Sequence, residues 1–258
     1  MLYAHCSREE LLRLLPRGGA WCEVGVFKGH FSRTIIDLVT PTEFHLVDVW
    51  KWIYYDWDNP PADQAKNIVQ FKKWMKNEVP EYDGGHPDPF LERMHQDLVQ
   101  LAASERRTSI KIHRGLSVEV AKTLPDRYFD LVYIDADHHY DAVLGDLFAY
   151  ADKVKDGGIL MGDDFLEDLS LRDGMYATID AFNTFIKRSG WRPLLISGVV
   201  GSQCMLYRGA PSPYVNAFAR NLFESPIHIV EIADALLPRY AQKGIAAGAK
   251  QRFIASFD

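Results

Sequence analysis

Cysteine is scarce: Cys6, Cys22 and Cys204 are the three in 258 residues. They lie far apart, without the close spacing of a metal-binding pair, and an odd number builds no disulfide framework. Long apolar runs are also missing. None approaches the ~20 residues that span a bilayer, and the opening MLYAHCSREELLRLLP is too charged for a secretory signal. A cytoplasmic location with no membrane partner is therefore expected. Positive charge is in deficit, with 29 Lys and Arg against 35 Asp and Glu and a formal net charge of −6. That balance argues against a general nucleic-acid binder. No internal repeat or low-complexity tract interrupts the chain.

What is present is an ordinary globular composition, 47% hydrophobic and 25% charged, in a length that suits one large domain or one domain with an appendage. Short β-type runs alternate with helical patterns. Strands are expected at Ala20–Val26, Phe44–Trp50, Ile110–Gly115, Phe129–Ala136 and Gly157–Asp164. Helical spacing follows the first of them, with Phe31, Ile35, Ile36 and Leu38 or Val39 on one face, and recurs at Val118–Thr123, Ala142–Lys153 and Thr178–Arg188. Such alternation implies right-handed crossovers and a doubly wound, mostly parallel α/β sheet with helices on both faces. WRPLLISG and SQCMLYRG, on either side of Val199-Val200-Gly201, are too close to be parallel and predict a terminal antiparallel hairpin. The main domain is expected over residues 1–209, with residues 210–258 as a helical C-terminal extension (Tyr214–Phe223 and Ile227–Tyr240) that suits covering the sheet or pairing subunits in a homo-oligomer. Residues 51–109 exceed what one crossover needs. Their aromatics, mixed with Asp, Asn and Pro, suit a lid or substrate wall, or a decorated crossover with its own small core.

EVGVFKG ends the first strand. A glycine at a strand-to-helix turn lets the backbone approach a ligand, and the helix start offers unpaired N–H groups. The pattern departs from G-x-G-x-x-G because Val26 or Phe27 stands in place of the glycine that admits a pyrophosphate, which favours a nucleoside ligand without one. Asp48, closing the second strand, is placed to accept from both ribose hydroxyls. Glu23 is a candidate to balance a cationic ligand.

Taken together, EVGVFKGHFS, FHLVDVW and the late hairpin resemble the class I S-adenosylmethionine-dependent methyltransferases, over roughly Ala20 to Arg208. The resemblance implies a seven-stranded sheet of order 3-2-1-4-5-7-6 with the last-numbered strand antiparallel. It also implies S-adenosylmethionine as cofactor, with Glu23, Gly25, Gly29, Asp48, Ser117 and Asp135 as its binding residues.

In that topology Asp135, ending the fourth strand, and Asp163 and Asp164, ending the fifth, stand on neighbouring strand ends. Three converging carboxylates repel one another. A hard divalent cation resolves the repulsion; the competing reading is that these acids cap the following helices. IDADHHY and GGILMGDDF resemble the metal-dependent O-methyltransferases, both the catechol and caffeoyl-CoA types and the sugar and macrolide-tailoring types. The resemblance implies Mg²⁺, or another divalent cation, on Asp135, Asp163 and Asp164. It implies a base at either His138 or Asp137, since members of the family use one position or the other. The function so implied is methyl transfer to a hydroxyl of a small molecule or sugar-bearing natural product. Two alternatives remain: a tailoring enzyme of the same fold resembling cephalosporin hydroxylases, and a non-catalytic cofactor-binding protein.

Overall fold

Alternating side chains build a sheet that is buried on both faces. The computed structural model describes residues 1–62, 64–165, 177–198, 202–247 and 250–257. Along the chain run β1 (Leu2–Ala4), α1 (Arg8–Leu14), β2 (Ala20–Val24), α2 (His30–Leu38), β3 (Glu43–Asp48), α3 (Ala65–Glu78), α4 (Asp88–Ser104), β4 (Ser109–Arg114), α5 (Ser117–Ala121) and β5 (Phe129–Ile134). There follow α6 (Tyr140–Ala151), β6 (Val154–Gly162), α7 (Thr178–Ser189), β7 (Arg192–Ser197), β8 (Cys204–Tyr207), α8 (Pro213–Glu224), β9 (Ile229–Glu231), a 3-10 turn (Asp234–Arg239), β10 (Ala241–Ala247) and β11 (Lys250–Ser256).

The large sheet has the order β4-β3-β2-β5-β6-β8-β7-β1-β9. Counted from β2, its first seven positions are the expected 3-2-1-4-5-7-6, and β8 is antiparallel to both β6 and β7. The expected turn at Val199–Gly201 lies outside the described residues. Two strands were not expected. β1 continues the sheet parallel to β7, and β9 closes it antiparallel to β1, so the sheet has nine strands rather than seven. Segments of three residues are too short for a period to register in sequence.

The helical reading of the tail holds for α8 and fails beyond it. Ile227–Tyr240 contains β9 and the 3-10 turn, and β10 and β11 pair with each other after it. β-branched Ile229 and Val230 favour extended backbone, and Pro238 inside the 3-10 turn cannot donate the bond an α-helix would require there.

Leu131 and Tyr133 of β5 point to one face, with Ile159 and Met161 of β6, and meet Leu11 and Leu12 of α1, Ile35 and Ile36 of α2, Leu98 of α4 and Phe218 of α8. Val132 and Ile134 point to the other face and meet Leu147 and Tyr150 of α6 and Phe182 and Phe185 of α7. α4 packs on β4 and is the crossover helix. The addition beyond a plain crossover is therefore the segment before it, where Trp52 lies edge-on to Tyr54, Tyr55, Trp57 and Phe71. All three cysteines are buried and unpaired. Among the described residues no helix is long and apolar enough to cross a membrane.

Candidate active site at the carboxyl edge of the sheet

β2, β3, β5 and β6 present their carboxyl ends side by side, and the site grows from how tightly they cross. Gly25 follows β2 with φ +89°, and a Cβ on it would sit 2.0 Å from the Asp135 carbonyl oxygen. Its close approach is to the β5 backbone. Asp135 N donates to Val24 O (2.7 Å) and Gly25 N to Val47 O (2.9 Å), which locks three strand ends together. Gly29 (φ +71°) caps α2 without a side-chain hydrogen bond, and a Cβ there would meet Leu98 of α4 at 2.4 Å. Both glycines are thus required by packing, while the loop between them and the uncapped start of α2 remain for a ligand.

Asp48 binds that loop. Its Oδ2 accepts from Val26 N and Phe27 N, each at 2.8 Å, and its Oδ1 from Trp50 N at 2.9 Å. A carboxylate offers about four acceptor sites, so capacity for a ribose hydroxyl remains. Glu23, in β2, is buried, accepts from Ser32 Oγ at 2.5 Å, and is pushed up by burial to about 8. Ser117 turns its hydroxyl away from the edge to donate to Asp146, whose buried carboxyl is pushed up to about 6. What Ser117 offers the edge is therefore backbone, beside half-exposed Leu116.

Asp135, Asp163 and Asp164 do converge. Burial first, and then Asp163 and Asp164, hold the Asp135 carboxyl well above the usual carboxylate range, and burial with Asp163 raises Asp164. Sequence reasoning missed what else is there. Arg8 of α1 donates from Nη1 to Asp163 Oδ2 at 2.6 Å and to Tyr133 Oη at 3.3 Å, with Asp135 Oδ2 3.7 Å away. The other oxygen of Asp163, Oδ1, accepts from Gln203 Nε2. The implied Mg²⁺ set therefore does not fit as expected: both oxygens of Asp163 are engaged, one by a cation. Among the described residues no group of three or more His, Cys, Asp or Glu side chains is arranged to hold a metal ion.

The two candidate bases part company. His138 turns Nε2 inward, 3.3 Å from Asp164 Oδ2 and 3.7 Å from Asp135 Oδ1. Asp137 faces the segment after β3. Its Oδ1 accepts from His139 N (2.9 Å) and meets His139 Nδ1 (2.5 Å), and its Oδ2 accepts from Tyr54 Oη at 3.2 Å. Burial opposes ionisation of Asp137, but the backbone N–H and imidazole of His139 outweigh it and hold the carboxyl below its ordinary value. α6 starts at Tyr140, two residues before the expected Ala142, with His139 as its N-cap. Tyr54 and His139 join the site without a signal in sequence beyond their aromatic and acidic surroundings.

A 3-2-1-4-5-7-6 sheet with a glycine turn after its first strand and an acid closing its second defines a class I methyltransferase fold. A family model described as "Methyltransferase domain" matches residues 22–165, and the chain belongs to that family: it is an S-adenosylmethionine-dependent methyltransferase. Similar solved structures include the O-methyltransferase NovP, 15% identical with 79% of this chain and 80% of that one covered and a TM-score of 0.46. A SAM-dependent methyltransferase from Aquifex aeolicus is 12% identical, with 74% and 83% covered and a TM-score of 0.46. Spermidine synthase from Thermotoga maritima is 13% identical at a TM-score of 0.43; 80% of this chain is covered, spanning 58% of that one. No curated protein matches the sequence.

Proposed function

We propose that the enzyme transfers the methyl group of S-adenosylmethionine to a hydroxyl oxygen of a small molecule or sugar-bearing acceptor, with Asp137 receiving the hydroxyl proton. The observation that carries this reading is the contact of Asp137 Oδ2 with a hydroxyl: Tyr54, from the aromatic segment after β3, donates to it at 3.2 Å. An acceptor entering past that segment has the same carboxylate oxygen to address. The bound donor supplies a sulfonium-activated methyl group, so the protein's part is alignment and proton removal.

Asp48, the Val26–Lys28 loop and the uncapped N-terminus of α2 are the residues for the nucleoside and its amino acid portion, with Glu23 beneath them. As the acceptor oxygen bonds to the methyl carbon and the carbon–sulfur bond breaks, the hydroxyl proton passes to the Asp137–His139 pair. His139 is oriented for this by its Nδ1 contact to Asp137, leaving Nε2 on the opposite side of the ring. His138 is turned toward Asp164 and Asp135 instead, away from this path. The Mg²⁺ implied by resemblance has no part in this reading, because Asp163 is already bound by Arg8 and Gln203.

Asp137→Asn tests it. Against a panel of phenolic and sugar hydroxyl acceptors, S-adenosylhomocysteine formation should fall about 100-fold or more, the usual worth of a positioned base. Binding of S-adenosylhomocysteine by calorimetry should change little. Undiminished turnover in the variant, or no transfer to any hydroxyl by the wild type, refutes the reading.

A further inference from the structure

We propose that the acid cluster is built around a resident guanidinium: Arg8, delivered by the N-terminal segment, holds the place between Asp135 and Asp163 that a divalent cation would need. The resemblance to metal-dependent enzymes implies the opposite; the surroundings of Arg8 favour the guanidinium. Its Nη1 lies 2.6 Å from Asp163 Oδ2 and 3.7 Å from Asp135 Oδ2, between the two carboxylates. Its flat face stacks on Phe31 of α2, 3.8 Å from the ring centroid, and Tyr133 Oη accepts from the same nitrogen. A planar fork held on an aromatic ring and a carboxylate is the arrangement in which arginine surpasses a point charge. A Mg²⁺ ion needs carboxylate oxygens at about 2.1 Å, and the guanidinium stands in that space.

The segment that carries Arg8 is anchored on every side. β1 pairs with β7, so the chain enters α1 from the sheet itself. Ser7 and Glu10 form a reciprocal capping box at the helix start. Leu11 and Leu12 are buried against the core, and Asn221 Nδ2 of α8 donates to Leu14 O at 2.8 Å. Arg8 is thus fixed at both ends, by its helix and by its partners, and its side chain is only 30% exposed. Gln203, just before β8, donates to the other oxygen of Asp163. Arg8 is a positioning residue: it offsets the charge of Asp163 and of Asp135, which lies two residues before Asp137, and keeps them from competing for the proton or the cationic donor.

Manganese titration reads the proposal directly and does not depend on the identity of the methyl acceptor, so it can fail while the function proposed above stands. Mn²⁺ binding is measured by calorimetry and by electron paramagnetic resonance on the wild-type protein, Arg8→Ala and Asp163→Asn, each checked for S-adenosylhomocysteine binding. The wild type is expected to hold no stoichiometric Mn²⁺. Arg8→Ala, with the carboxylates exposed to one another, should bind one ion roughly tenfold more tightly than the wild type or better. A wild-type site of micromolar affinity that Asp163→Asn abolishes overturns the proposal and needs no folded Arg8 variant. An Arg8→Ala protein that binds S-adenosylhomocysteine yet gains no affinity for Mn²⁺ overturns it equally.

Discussion

Replacing Gly25 by alanine should damage the fold more than any other single methyl group added at the site. The added Cβ would lie 2.0 Å from the Asp135 carbonyl oxygen, 2.4 Å from its carbon and 2.6 Å from Ala136 Cα. All three are backbone atoms, so no rotamer change relieves the overlap; β2 and β5 must separate where they enter the site. The left-handed backbone at φ +89° costs an L residue about 1–2 kcal/mol. Separation stretches Asp135 N→Val24 O and Gly25 N→Val47 O, each worth about 1 kcal/mol, and residual overpacking adds about 1–3 kcal/mol. A loss of about 4–7 kcal/mol is a large share of the ~5–15 kcal/mol of an ordinary domain. At about 2–4 °C per kcal/mol for a chain of this size, Tm should fall by roughly 8–28 °C. Gly209→Ala is the control: φ is +79° with nothing within 4 Å of the new methyl, so only the backbone term applies, about 1–2 kcal/mol. Thermal unfolding of both variants by circular dichroism checks the reasoning. If Gly25→Ala melts within a few degrees of Gly209→Ala, the strand crossing is not the constraint argued here.

Asp48→Ala removes the acceptor of three backbone N–H groups that hold the loop at Val26–Phe27 and Trp50; S-adenosylhomocysteine should bind at least about tenfold more weakly by calorimetry, the loss of one charge-assisted bond, and unchanged affinity would contradict the role. Glu23 gives a pH signature. Burial raises its folded value from 4.5 to about 8, so the folded state keeps a proton that the unfolded chain sheds in that interval. Its contribution to stability is full below pH 4.5, falls as pH rises toward 8, and is constant above. Glu23→Gln should flatten the change in Tm between pH 6 and 8.5 relative to the wild type, and a parallel pH profile in both proteins refutes the assignment.

Strand order was readable because each core strand carries a run of apolar residues long enough to have a period, and because acids or glycines punctuate its carboxyl end. Asp135, Asp163 and Asp164 fall together for the same reason: adjacent strands end at one edge. Arg8 was not readable. It lies 155 residues from Asp163 in sequence, within REELLRL, where a charged residue on a short helix is ordinary. Only the pairing of a three-residue strand with β7 brings it to the edge. Tyr54 escaped likewise, in a segment rich in aromatics but without a period. At Gly25 the sequence suggested close approach to a ligand; the group that approaches in the fold is the β5 backbone, which sequence order alone does not reveal.

Where the acids go explains how one strand end can serve two purposes. Asp135 lies in a partly buried set with Asp163 and Asp164, whose charge is met from within by Arg8 and whose oxygens are also approached by Gln203 and the ring of His138. Asp137, two residues on, is turned out of that set toward Tyr54 and is kept ionised by His139. Without Arg8 the charge of the inner set would raise Asp137, just as Asp163 and Asp164, after burial, raise Asp135, and a carboxylate facing the acceptor would carry a proton when it needs to take one. Compensation of the inner acids is therefore a condition for the outer one to act, which links the N-terminal helix carrying Arg8 to the chemistry at the end of β5.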